Sequence, residues 1–130
     1  MRILLELTLG LHMAAALFWL LTSLWGGFGR NPGLAGRVFR PQMVAATLAV
    51  FTGGGLWTLL HVFGLGPEEI VLGIGAVLAI AAAGVQGAMV GGGVKRLPGA
   101  EAEARIVMGQ KIGAVLLLLA LACMLAARHV

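Results

Sequence analysis

Apolar residues fill four long runs along this chain, at about residues 4–25, 43–63, 70–90 and 106–127, and the polar residues collect in three short segments between them. Each run supplies roughly the 20 apolar residues needed to cross a ~30 Å hydrocarbon core. The pattern predicts an all-α, polytopic integral membrane protein: four transmembrane helices arranged as two tandem hairpins in a single domain over 1–130. The first run is longer than the apolar segment of a signal peptide and is followed by no small-x-small cleavage site, so it reads as a retained helix.

The intervening segments set the topology. Residues 26–42 carry Arg30, Arg37 and Arg40, and residues 91–105 carry Lys95, Arg96 and Arg105, with Lys111 just inside the fourth run. Residues 64–69 hold only Glu68 and Glu69. Four spans put the first and third segments on one side, with seven Lys/Arg, and leave Arg2 and Arg128 on the other. The positive-inside rule then places both termini outside. Pro41 and Pro67 suit first helical turns, where a missing N–H costs nothing. Glu68 and Glu69 suit the positive end of a helix. Lys111 is placed to snorkel toward the inner headgroups.

An internal repeat runs through the chain. Residues 26–33 and 92–99 both read GGxxRxPG, at an offset of 66, and Arg37-Val38 with Gln42 matches Arg105-Ile106 with Gln110 at 68. Two hairpins of one orientation would be related by a pseudo-twofold axis along the membrane normal. The alternative is chance similarity in a glycine-rich chain.

Spans associate in lipid through close packing and polar contacts. Span three offers a small-residue ridge, Gly75, Ala79, Ala83, Gly87 and Gly91. Span one carries a stripe of Thr8, His12, Ala15, Ala16, Trp19 and Ser23, and span two one of Thr47, Gly54, Trp57, Thr58 and His61. Each stripe occupies one helical face and is expected to point inward. Gln86, alone and polar within span three, is expected to hydrogen-bond another helix.

Composition narrows the functional classes. Only 11% of residues are charged and mean hydropathy is +1.02, far from a soluble domain's ~25% charged. The spans occupy about two thirds of the chain, which leaves no room for a soluble domain. The formal charge of +4 lies between spans, beside lipid headgroups, and does not indicate nucleic acid. One cysteine, Cys123, excludes an internal disulfide and Cys-rich metal frameworks. The absence of Tyr and the wealth of Gly, Ala, Leu and Arg suit a GC-rich bacterial source, hence the cytoplasmic (inner) membrane. Hydrolase, P-loop and dinucleotide motifs are missing. With no acidic residue mid-span, a proton-coupled exporter is disfavoured.

Three histidines remain. His12 lies about eight residues into span one, roughly 12 Å deep at 1.5 Å per residue, where an ionisable group is a functional hypothesis by default. His61 sits near the outer end of span two and His129 at that of span four. Two cofactors fit these side chains. Heme b takes imidazole as an axial ligand, with His12 and His61 as the pair and Trp19 and Trp57 shaping the pocket. Copper, as Cu(I), accepts imidazole, thiolate and thioether, drawing on His61, Cys123, Met124 and His129, with His12 a further imidazole. The alternative for His12 is a structural role, bonded to a carbonyl or threonine of a neighbouring helix. For His61 it is a boundary anchor, and for Cys123 and the methionines ordinary packing.

The stretch from Leu11 to Trp19, Leu-His-Met-Ala-Ala-Ala-Leu-Phe-Trp, resembles the first helix of small bacterial membrane proteins of the copper-resistance D type and of HemJ-type protoporphyrinogen oxidases. Phe51-Thr52-Gly53 and Lys95-Arg96-Leu97-Pro98 are similar as well. The resemblance implies a four-helix fold with His12 as a heme or metal ligand. It does not carry the oxidase activity, since the HemJ-type lysine of span three has no counterpart here.

The expected function is therefore a small redox-linked membrane protein that binds heme b, or copper, for electron transfer or cofactor handling, without independent catalysis. Its rivals are a cofactor-free accessory subunit of a larger membrane complex, such as a respiratory enzyme, and a small transporter or channel. A homodimer is also compatible with the glycine ridges.

Overall fold

The structure, a computed structural model, describes residues 2–29, 32–60, 64 and 66–130. It is all-α. Helix α1 runs Arg2–Phe28, α2 Pro32–Arg37, α3 Phe39–Leu60, α4 Pro67–Val94 and α5 Ala100–Ala127. All but α2 are long and apolar enough to cross a membrane. Two antiparallel hairpins, α1–α3 and α4–α5, pack side by side, chiefly through α1 against α5.

The helices outrun the apolar segments. At 28 residues each, α4 and α5 are about 42 Å long, more than the ~30 Å apolar layer. The apolar run marks only the part that suits hydrocarbon. The helix continues beyond it, because the backbone bonds remain favourable among headgroups. The segment expected as a loop at 91–105 is thus helical except around 95–99, and Gln42, expected in a loop, lies in the first turn of α3. Pro67 opens α4 as expected, with Glu68 and Glu69 behind it. Arg2 and Glu6 form an exposed ion pair at 3.0 Å.

Most interior positions are small or polar, as lipid-immersed packing requires, with Trp19, Val90, Ile106 and Leu117 among the larger exceptions. Buried on α4 are Gly75, Ala82, Gln86, Val90 and Gly93. Of the expected ridge, Gly75 is buried, Ala79 and Ala83 pack half-buried against the core and Gly91 lies against Phe39, while Gly87 turns away. Steps of four residues advance 400° around a 100°-per-residue helix, so a strict i+4 ridge turns slowly about the helix axis. Its first member, Gly75, does pack on α5, where a Cβ would meet the Ala120 carbonyl and Cys123 at 3.2 Å. Gly87 has nothing within 4 Å. Farther along the same seam a Cβ at Gly93 would lie 2.6 Å from Ile106 Cγ1, and one at Gly109 2.8 Å from Met89 Cβ. Between hairpins, a Cβ at Gly27 would strike the Lys111 backbone at 2.8 Å.

The span-one stripe points inward at Ala15, Trp19 and Ser23. The span-two stripe does not. α3 buries Gln42, Ala45, Ala46, Ala49 and Leu56, while Thr47, Gly54 and Thr58 are exposed. Thr47 donates to the Met43 carbonyl (2.9 Å) and Thr58 to that of Gly55 (2.8 Å). A hydroxyl satisfied by its own helix faces lipid at little cost, so threonine does not report the inward face. Thr47→Val is accordingly expected to leave stability within about 0.5 kcal/mol, as read by thermal unfolding in detergent.

Candidate functional site

Two polar groupings lie between the helices. The larger joins all four spans. Trp19 is 1% exposed, and its indole N–H donates to Gln86 Oε1 at 2.6 Å. Gln86 Nε2 donates to Ser23 Oγ (2.7 Å) and Gln110 Oε1 (3.2 Å). Ser23 in turn donates to the Trp19 carbonyl at 2.7 Å. Gln42 and Gln110 pair reciprocally, Gln42 Nε2 donating to Gln110 Oε1 at 3.0 Å and Gln110 Nε2 to Gln42 Oε1 at 2.9 Å. Gln42 Nε2 also reaches Ser23 Oγ (2.9 Å) and Thr22 Oγ1 (3.1 Å). Ser23 and the three glutamines are fully buried. Among the described residues no buried side-chain polar atom lacks a partner.

The pairing follows the repeat. Gln42 and Gln110 stand 68 apart and Trp19 and Gln86 67 apart, so each pair joins near-equivalent positions of the two hairpins. A side chain lying on a twofold axis meets its own symmetry mate, and a carboxamide, with a donor and an acceptor side by side, can complete a cyclic pair with another carboxamide. Gly113 makes room for the cluster, since a Cβ there would coincide with the Gln86 side chain. The cluster contains no ionisable group and no unmatched donor or acceptor. Its chemistry is that of a lock which fixes the rotation and depth of four helices.

The second grouping surrounds His12, which is half-buried between α1 and α3. Its Nδ1 lies 2.9 Å from the Ala49 carbonyl and 3.1 Å from Thr52 Oγ1. Thr52 itself donates to the Leu48 carbonyl at 2.5 Å. A carbonyl can only accept, so Nδ1 carries a hydrogen, and in the neutral imidazole Nε2 then holds the lone pair. The structural role considered for His12, a bond to a carbonyl or threonine of a neighbouring helix, is thus filled by Nδ1. Nε2 has no hydrogen-bond partner among the described residues, and it is not enclosed in the core. Gly53 lets the imidazole lie against α3, because a Cβ there would be 3.1 Å from His12 Cε1.

The other candidates are dispersed. His61 lies outside the described residues, as does Arg30. Trp19, expected beside a His12 pocket, is committed to the glutamine cluster two turns away. Trp57 is half-buried, and a Cβ at Gly73 on α4 would touch its ring at 3.8 Å. Cys123 and Met124 pack toward Gly75, and His129 is exposed beyond the end of α5. Among the described residues no three His, Cys, Asp or Glu side chains gather as a metal site. Lys111 Nζ sits 5.8 Å from the centre of the Phe28 ring at the end of α1, a cation–π distance.

The sequence signal for the glutamine cluster was present but divided. Gln42 and Gln110 appeared only as a repeat match, and Gln86 as an isolated polar residue. Three glutamines in so apolar a chain, two of them at repeat-equivalent positions, are the pattern that points to an axial cluster.

The class is thus an all-α bundle of four membrane-capable helices in two hairpins. Comparison with known protein families, with curated proteins and with solved structures finds no match for this chain.

Proposed function

We propose that this chain is a small bacterial inner-membrane protein that holds heme b through His12 and serves electron transfer or cofactor handling. The supporting observation is the state of the imidazole. Metal-ligating histidines characteristically donate one ring N–H to a backbone carbonyl or carboxylate, which fixes the tautomer and orients the ring. His12 has that anchor in the Ala49 carbonyl at 2.9 Å and keeps Nε2 accessible. One free imidazole nitrogen would serve as a ligand to heme iron, and His61 would be the candidate for a second. The heme would supply one-electron chemistry. The protein would supply the ligand and its orientation by α3. Heme is favoured over copper because Cys123, Met124 and His129 are turned to packing or to solvent. The loop charges orient the bundle with both termini outside.

The test is the absorption spectrum of the protein in mild detergent, as isolated and after dithionite, following expression with heme available. The expected result is a Soret band with α/β bands that sharpen on reduction, and its loss in His12→Ala. A featureless wild-type spectrum, or full heme occupancy in His12→Ala, overturns the proposal.

A second reading has its own observation. Gly10, Gly54, Gly84 and Gly87 have nothing within 4 Å of a Cβ and are exposed, and small outward residues let neighbouring helices approach closely. This supports a cofactor-free accessory subunit of a larger membrane complex. Co-extraction with large catalytic subunits in mild detergent is its expected signature, and a discrete monomer argues against it.

A further inference from the structure

The α4–α5 hairpin carries an open groove of about 670 Å³ at its charged end. Arg96, Arg105 and Glu101 line the groove, with Met89 and Met108 also on its wall. Along α5, Arg105 comes one turn before Met108, and the apolar run begins at residue 106. The groove therefore straddles the boundary between headgroups and hydrocarbon, with arginines at the headgroup level and methionines below. Met108 is half exposed. Neither arginine meets a carboxylate among the described residues. Arg105 lies along the bare backbone of Gly92, where a Cβ would be 3.6 Å from its Nε and Nη2.

The two hairpins differ here. In the first, the chain breaks at Val38, and α2 folds over the bundle end, with Gly36 against Val94, Leu97 and Ile106. In the second, the equivalent segment continues straight into α5 and leaves the groove open. The repeat-equivalent of Arg105 is Arg37, on α2.

We propose that this groove is a binding site for one anionic phospholipid of the surrounding leaflet. Its phosphate sits between the Arg96 and Arg105 guanidinium groups, and one acyl chain lies along Met89 and Met108. Two arginines against one glutamate leave the groove at +1, and flexible thioethers adapt to an acyl chain. Guanidinium groups match phosphate oxygens in planar, paired hydrogen bonds. The site is independent of the heme reading, whose failure would leave it untouched.

Native mass spectrometry of the full chain, with dioleoyl phosphatidylglycerol and dioleoyl phosphatidylcholine as competing probes, tests the assignment. Wild type is expected to retain one phosphatidylglycerol with about tenfold preference, since interfacial arginines attract anionic lipid. The Arg96→Gln/Arg105→Gln variant should lose the preference, and Arg37→Gln/Arg40→Gln should keep it. Glu101→Gln should strengthen phosphatidylglycerol binding about three- to fivefold, a gain that misfolding cannot mimic. Equal retention of the two lipids by wild type overturns the proposal, as does an equal loss in the Arg37/Arg40 variant.

Discussion

Gly113→Val is expected to cost about 3–4 kcal/mol, the largest effect of any single substitution considered for this bundle. A side chain at 113 occupies the space of the Gln86 carboxamide. Gln86 must then withdraw, leaving the Trp19 indole N–H without its acceptor and Ser23 and Gln110 each without one donor. A buried polar group that loses its partner costs about 1–3 kcal/mol, and here the loss propagates through one network. Unfolding of the purified protein by SDS titration in bicelles measures the change. Gly84→Ala is the control, because nothing lies within 4 Å of its Cβ position and alanine favours helix over glycine by about 1 kcal/mol. It is expected to be neutral or slightly stabilising. Equal loss from both variants would show that glycine content, rather than room for Gln86, governs stability.

The second large effect concerns the reciprocal carboxamide pair. Gln42→Leu and Gln110→Leu are each expected to destabilise by about 1–2 kcal/mol, because each leaves the other amide buried with unmatched groups. The double variant is expected to lose less than the sum, by about 1–2 kcal/mol, since two leucines replace both halves of the pair at once. Interhelical hydrogen bonds in membranes average only ~0.6 kcal/mol, so the cost comes mainly from stranding a partner. Strict additivity in the same SDS titration would show that the two amides act separately.

Much of this architecture could be read directly from residue order. Lipid demands a continuous internally bonded backbone, so four apolar runs announced four helices, and Pro67 with Glu68 and Glu69 announced the start of α4. The offset of 68 matched Gln42 to the Gln110 it bonds, and Gln86 announced its own interhelical role. The inward face was less legible. Leu, Val and Ala face lipid and protein alike, so hydropathy carries no inside–outside signal, and threonine bonds its own helix in either setting. That is why Thr47 and Thr58 pointed wrongly and Gly87 was placed on the inner face.

At His12 the residue type implied a ligand or a hydrogen bond, and the sequence held no means of choosing. The approach of α3 decided, because the Ala49 carbonyl takes Nδ1 and leaves Nε2 accessible. Trp19 shows the reverse case, since its helical face was foreseen but its partner, 67 residues away on α4, was not.

By itself, then, the sequence determined the class, the number of spans, their hairpin order and the polar residues available to join them. These follow from local terms: apolar length, loop charge and helix-end chemistry. Only the tertiary structure decided which glutamines meet, which glycines admit them, which nitrogen of His12 is spent and where the arginine groove opens. Those outcomes depend on the rotation and depth of each helix against its neighbours, a balance struck by packing and hydrogen bonds between residues far apart in the chain.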